Sequence, residues 1–246
     1  MSTNYNLATQ QQEYTVTSVG KEVAMGRTLA RRVEEELELV RDEALQERVR
    51  AIGDRLAAVC DRKELVYTFR VVADKAVNAF SLPGGYVFVN DGLIKKTRSD
   101  DELAAVLAHE IAHIAARHAI KRYESSIGAQ LLQLATLAAM RQGASAQGAS
   151  IALQAAQLAY AREDELEADR LAVRYVQAAG FDPHAVISFL EQLQKIEQAE
   201  KPQYLPRGVT RPEYALTHPF VPERLRAAKE ALYGVADYVD YLNTSP

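Results

Sequence analysis

The sequence predicts an α+β domain, mainly helical with a small β-sheet, and three observations carry that reading. Most of the 246 residues fall in long stretches whose apolar positions recur at helical spacing. Two short runs, 65–72 and 86–90, read instead as strands, the first by its alternation and both by the turn residues around them. The composition is 48% hydrophobic and 25% charged, with no tryptophan and 7% aromatics, which suits a globular fold with an aliphatic core. Disorder throughout is excluded on the same figures.

The elements follow in order. A polar lead-in, 1–17, precedes a helix expected from about Ser18 to Val40, with Leu29, Val33, Leu37 and Val40 inward and Glu34 to Glu36 outward. A second helix, about 43–60, lines up Leu45, Val49, Ile52 and Leu56. In the strand 65–72, Leu65, Tyr67, Phe69 and Val71 share one side. Ser81-Leu-Pro-Gly-Gly85 reads as a turn, followed by the short strand. The helix expected over 101–123 opens on acidic residues, which suit the positive end of its dipole.

Residues 125–159, rich in Ala and Gln, read as two helices broken near Gly143 and Gly148. Helix packing accounts for such a stretch, and covering a cleft is the alternative. A long helix then stops at Gly180, another covers about 183–200, and 201–222, with its five prolines, reads as a loop before a last helix at about 223–233. No repeat or linker divides 18–246, which reads as one domain.

The formal net charge of −4 argues against a nucleic-acid surface. The single cysteine, Cys60, excludes an intramolecular disulfide and a cysteine-based metal site. No run reaches the roughly 18–20 apolar residues a membrane-spanning helix needs, and the first 17 residues show no signal-peptide pattern.

Chemistry is concentrated in His109-Glu110-Ile-Ala-His113, a pattern that random placement produces in about one per cent of chains of this composition. On a helix, residues i and i+4 share a face, so both imidazoles reach one metal ion. Glu110 is turned by about 100° from His109, beside the metal and not on it. There it can take a proton from a water whose pKa zinc lowers to around 7. His118, nine residues beyond His109, falls about 900° further round and is expected on the opposite side, solvated or merely supporting a ligand.

The third ligand is sought in Arg162-Glu-Asp-Glu-Leu-Glu-Ala-Asp169. Relative to Ala172, the apolar Ala168, Val176 and Ala179 fall within about 40° and Glu165 at about 20°, in the middle of a buried stripe. A charge placed there needs a partner, and a metal ion is the natural one. Glu163, Asp164 and Glu167 read as a solvated acidic run. Asp169, one turn on, has the spacing of a carboxylate that orients a ligand histidine. Two histidines and one carboxylate leave the fourth position of a zinc ion open, which is a catalytic arrangement.

These residues, with Asn78-Ala-Phe-Ser-Leu-Pro-Gly-Gly85, Glu102-Leu-Ala-Ala-Val-Leu-Ala-His-Glu110, Glu165-Leu-Glu-Ala-Asp169 and Thr217-His-Pro219, resemble peptidase family M48, the gluzincin metallopeptidases that include HtpX, BepA, LoiP and the CAAX prenyl protease. The resemblance runs from about Gly20 to Arg226 and is to the branch without membrane helices. It implies a gluzincin fold whose edge strand borders the active-site helix, and one Zn2+ per chain on His109, His113 and Glu165. It further implies Glu110 as general base and an endopeptidase acting on unfolded or extended polypeptides. It suggests that Tyr86, Val87, Phe88, Val89 and Asn90 are the edge strand on which a substrate pairs by β-augmentation. His218 is implied either to stabilise the oxyanion or, in a resting form, to fill the open position, with Arg224 anchoring its loop. Location in the periplasm or cell envelope, a role in protein quality control, and a chaperone-like function with a latent site as the alternative rest on the resemblance as well.

Overall fold

A computed structural model describes residues 2–125, 161–199 and 217–244. The readings over 126–159 and 201–216, including a helical cover for the cleft, lie outside the described residues. The fold is α+β and mainly helical, in the order β1 (Ser2–Asn6), β2 (Gln11–Thr15), α1 (Val19–Glu36), α2 (Glu43–Val59), β3 (Thr68–Val72), β4 (Ala79–Leu82) and β5 (Tyr86–Asn90). Then come α3 (Asp91–Ile94), α4 (Asp100–Ala115), α5 (118–125), α6 (Arg162–Ala178), α7 (His184–Ala199) and α8 (Val221–Thr244), the last broken at Gly234. Side chains cap three of the helices. Ser18 accepts from the Lys21 N–H, Asp42 from Leu45 and Ser99 from Glu102.

The first helix stops at Glu36, short of the expected Val40, because Leu37 turns extended and 38–40 pair with β3. The Ala73 N–H donates to the Glu38 carbonyl at 2.7 Å and Val40 N–H to the Val71 carbonyl at 3.0 Å. The Gln46 side chain extends this cover: its Oε1 accepts from Val71 N–H at 3.0 Å and its Nε2 donates to the Val71 carbonyl at 3.1 Å. The outer edge of β3 is therefore occupied.

Three strands lie in the order β3-β5-β4, β3 parallel and β4 antiparallel to β5. β4 absorbs Ser81 and Leu82, which the sequence reading put in the turn. The turn itself is Pro83-Gly84-Gly85, whose glycines take φ of 78° and 105°. Tyr86–Asn90 is thus the central strand. Both of its edges are taken, so it cannot accept a further strand, which corrects the assignment of Tyr86, Val87, Phe88, Val89 and Asn90 as the substrate edge. Among the described residues no strand lies on the far side of β4.

Both faces of the sheet are covered. Val72, Leu82 and Phe88 pack against Leu29, Ala30 and Val33 of α1, while Phe69, Val71, Val87 and Val89 join the main core with α2 and α4. α4 is the centre of that core, buried at every residue from Glu102 to Ala115. A helix apolar nearly all round belongs in such a place, and Ala104, Ala105, Ala108, Ala112 and Ala115 let its neighbours approach closely.

α4 ends at Ala115, not at Tyr123. Arg117 takes a left-handed φ of 58°, and helix resumes as α5 on a new axis. Such a conformation costs energy for a side chain with a Cβ, and the guanidinium is bound in a way that holds it. Its Nε donates to Glu22 Oε2 at 3.0 Å, Nη1 to Thr15 Oγ1 at 3.1 Å and Nη2 to the Thr17 carbonyl at 2.7 Å. The polar lead-in accordingly forms the β1–β2 hairpin, held to the end of α4 by these bonds and by Asn6 Nδ2 donating to the Ala115 carbonyl.

Gly26 of α1 packs onto the turn that ends β4, where a Cβ would overlap the Pro83 carbonyl. Gly26→Ala should therefore lower stability by about 1–3 kcal/mol through overpacking, although alanine is the better helix former by about 1 kcal/mol. Urea unfolding of the two proteins decides the sign.

Candidate metal centre

His109 and His113 lie one turn apart on α4, both buried, with their Nε2 atoms 3.0 Å apart. α6 brings Glu165 to the same point, its Oε2 3.4 Å from His109 Nε2 and its Oε1 3.5 Å from His113 Nε2. His218, just ahead of α8, joins them with Nδ1 3.0 Å from Glu165 Oε1 and 3.3 Å from His109 Nε2. One donor atom from each of the four buried residues lies within 4.8 Å of all the others.

These separations test whether an ion fits. A tetrahedral ion with bonds of about 2.0–2.1 Å sets its donor atoms about 3.3–3.4 Å apart. The separations just given, taken to one or the other Glu165 oxygen, run from 3.0 to 3.5 Å, close to that value, and a set of one donor atom per residue spans no more than 4.8 Å. Imidazole lone pairs facing one another in a dry site also need a cation or a proton between them. The four residues fit a small divalent ion.

The surrounding charges favour a cation. Burial and Arg224 act to lower the His109 pKa, yet Asp169 and Glu165 outweigh them and push it up to about 9. Burial holds His113 well below the ordinary imidazole range. Burial opposes charge on Glu165 and Asp169 too, but His218 and Arg224 hold Glu165 well below the usual carboxylate range, and Arg224 and His109 lower Asp169. Two ionised carboxylates thus face the site in a low dielectric.

Asp169 Oδ1 lies 2.9 Å from His109 Nδ1, the contact that fixes a ligand's ring and tautomer. Arg224, 1% exposed, clamps Asp169 with two hydrogen bonds of 2.8 and 2.9 Å. Its Nη1 donates to the His218 carbonyl at 3.3 Å and sits 3.2 Å from Glu165 Oε2. One guanidinium therefore ties the His218 segment to α6. Glu110 is fully buried beside the cluster, and neither of its carboxylate oxygens has a hydrogen-bond partner among the described residues. Its nearest basic neighbour is His218, whose Nε2 is 3.4 Å from Oε1.

The structure therefore brings together His109, Glu110, His113, Glu165, Asp169, His218 and Arg224. Of the two alternatives for His118, solvated or supporting a ligand, the first is excluded by its complete burial, and its expected place on the opposite side is corrected. A continuous helix would carry His118 to the opposite side, but the break at Arg117 swings it back so that its Nδ1 is 2.8 Å from His113 Nδ1. Asp164 and Glu167 are not freely solvated either, since they meet His118 Nε2 at 3.5 and 3.1 Å. No glycine marks the break, so the sequence carried no signal for it.

Similarity to known proteins agrees with this geometry. Residues 43–232 match peptidase family M48. The chain is 31% identical over 223 residues to a beta-barrel assembly-enhancing protease of Yersinia pestis and 30% identical over 221 residues to that of Escherichia coli K12, covering 86% of this chain and 44% of each relative. It is 33% identical over 179 residues to the mitochondrial metalloendopeptidase OMA1 of Schizosaccharomyces pombe, covering 72% of this chain and 50% of that protein. The chain thus spans half the length or less of these relatives. With the match extending over most of its described core, the chain belongs to peptidase family M48.

Proposed function

We propose that this chain is a zinc-dependent endopeptidase that cleaves extended or unfolded polypeptides, in protein quality control of the periplasm or cell envelope. The observation that carries the reading is the convergence of His109, His113, Glu165 and His218 beside a buried Glu110 whose carboxylate oxygens have no hydrogen-bond partner among the described residues. When bound, zinc supplies Lewis acidity toward a peptide carbonyl and makes water at the site acidic near neutral pH. Glu110 takes the proton of the attacking water on a carboxylate oxygen and returns it to the leaving amine. Asp169 holds the proton on His109 Nδ1, so that Nε2 presents its lone pair inward.

The role of edge strand passes from β5 to β4. Asn90 N–H bonds the Asn78 carbonyl, so the antiparallel alternation turns the peptide groups of Phe80 toward β5 and those of Ala79 and Ser81 outward. The same strand borders α4 near the site: Thr217 Oγ1 lies 3.4 Å from Asn78 Oδ1, and Ser81, Leu82 and His113 line a common pocket. An extended peptide added on that side pairs with Ala79 and Ser81.

His218 supports a second reading within the first. Its Nδ1 completes a closed set of four donors, which leaves no place for water or substrate. The arrangement suits a resting form with a latent site, in which the chain binds clients as a chaperone-like factor until the segment held by Arg224 withdraws. The bacterial relatives are named as proteases that enhance β-barrel assembly.

Casein degradation by zinc-loaded protein tests the reading. Glu110→Gln should retain zinc and lose turnover by at least about 100-fold, the loss expected for a general base, and full activity in that variant would falsify the mechanism. His218→Ala should keep zinc on the remaining three ligands and raise basal cleavage, whereas a fall in cleavage would assign His218 to transition-state stabilisation. Ser81→Pro removes one outward N–H at an edge position that tolerates proline. It should raise KM for peptides with zinc content unchanged, and an unaltered KM would remove β4 from substrate binding.

A further inference from the structure

We propose that His118 is a positioning residue that fixes the tautomer and ring plane of His113 and passes that constraint to Glu167 and Asp164 on α6. The inference rests on the reading of His113 as a metal ligand. His113 Nε2 faces the other donors, 3.0 Å from His109 Nε2, so its inward nitrogen carries the lone pair. The proton of a neutral His113 must then sit on Nδ1. That atom is 2.8 Å from His118 Nδ1, which can only be the acceptor. The proton of His118 follows to Nε2, 3.1 Å from Glu167 Oε2 and 3.5 Å from Asp164 Oδ1. Each assignment forces the next.

The two ligand histidines are thus backed differently. His109 leans directly on the buried Asp169, whereas His113 leans on an imidazole whose far side meets carboxylates 24–29% exposed. The same helix that supplies Glu165 supplies Asp164 and Glu167, so ligand and support are set by one element. The left-handed Arg117 makes the arrangement possible, since an uninterrupted helix would carry His118 to the opposite side.

The test is zinc affinity by competition with a chromophoric chelator, together with the visible spectrum of the cobalt-substituted protein. His118→Asn keeps an acceptor oxygen near the position of Nδ1 but leaves the ring's space partly empty. His118→Phe fills the space and has no acceptor. Loss of the supporting bond should weaken zinc binding by about 10- to 100-fold in the Phe variant, with a changed cobalt spectrum, and the Asn variant should recover most of the loss. A packing role gives the reverse order, with Phe equal to wild type, and overturns the proposal. Glu167→Ala, altered at a partly exposed position, should give a smaller loss in the same direction without threatening the fold, and no change there would remove Glu167 from the chain of contacts. If wild-type protein itself fails to bind one zinc or cobalt ion, the metal reading fails, and this failure is distinct from a variant that binds as well as wild type.

Discussion

The dominant constraint in this fold is the burial of ionisable groups on and around α4. Charges and lone pairs withdrawn from water are tolerated only when paired. Here the pairing is arranged around one point. Two imidazoles, a carboxylate and a third imidazole face one another at hydrogen-bond range, and behind them stand Asp169, Arg224, His118 and Glu167. A cation in the middle would give Glu165 and the inward nitrogens one common partner. Glu110 stands apart, since among the described residues its buried carboxylate oxygens have no hydrogen-bond partner.

The remaining architecture reads as the means of holding that point. α4 packs closely against α6, which carries Glu165, Asp169, Asp164 and Glu167. Arg224 reaches from α8 to Asp169 and to the His218 carbonyl, so the final segment is fastened by the charges that orient the ligands. The β1–β2 hairpin and Glu22 hold Arg117 in its left-handed turn, which in turn delivers His118. On the other side, 38–40 and Gln46 cover the far edge of the sheet at β3, and among the described residues no strand pairs with the outer edge of β4.

Much of this was legible in the sequence. The spacing of His109 and His113, and the position of Glu165 in an apolar stripe, follow from helix periodicity, and the fold places these side chains together. Asp169 was reachable by the same arithmetic. Each error has its own physical cause. Periodicity continues through Arg117 because the break depends on bonds to Glu22, Thr15 and Thr17, which are distant in sequence. β4 was hidden by Pro83 and the two glycines, whose turn signal swallowed Ser81 and Leu82. The central place of β5 is a matter of strand order, which alternation within one strand does not encode. Val40 has a helical period and yet pairs with Val71, an outcome decided by the open edge of β3.

X-ray absorption at the zinc edge, on protein loaded with one equivalent of zinc, tests the central claim most directly. The expected result is one tightly held ion with three imidazole nitrogens and one carboxylate oxygen at about 2.0–2.1 Å, falling to two imidazoles in His218→Ala. A first shell without the two imidazoles of α4, or zinc that washes out of the wild-type protein, would contradict a metal centre at His109, His113 and Glu165.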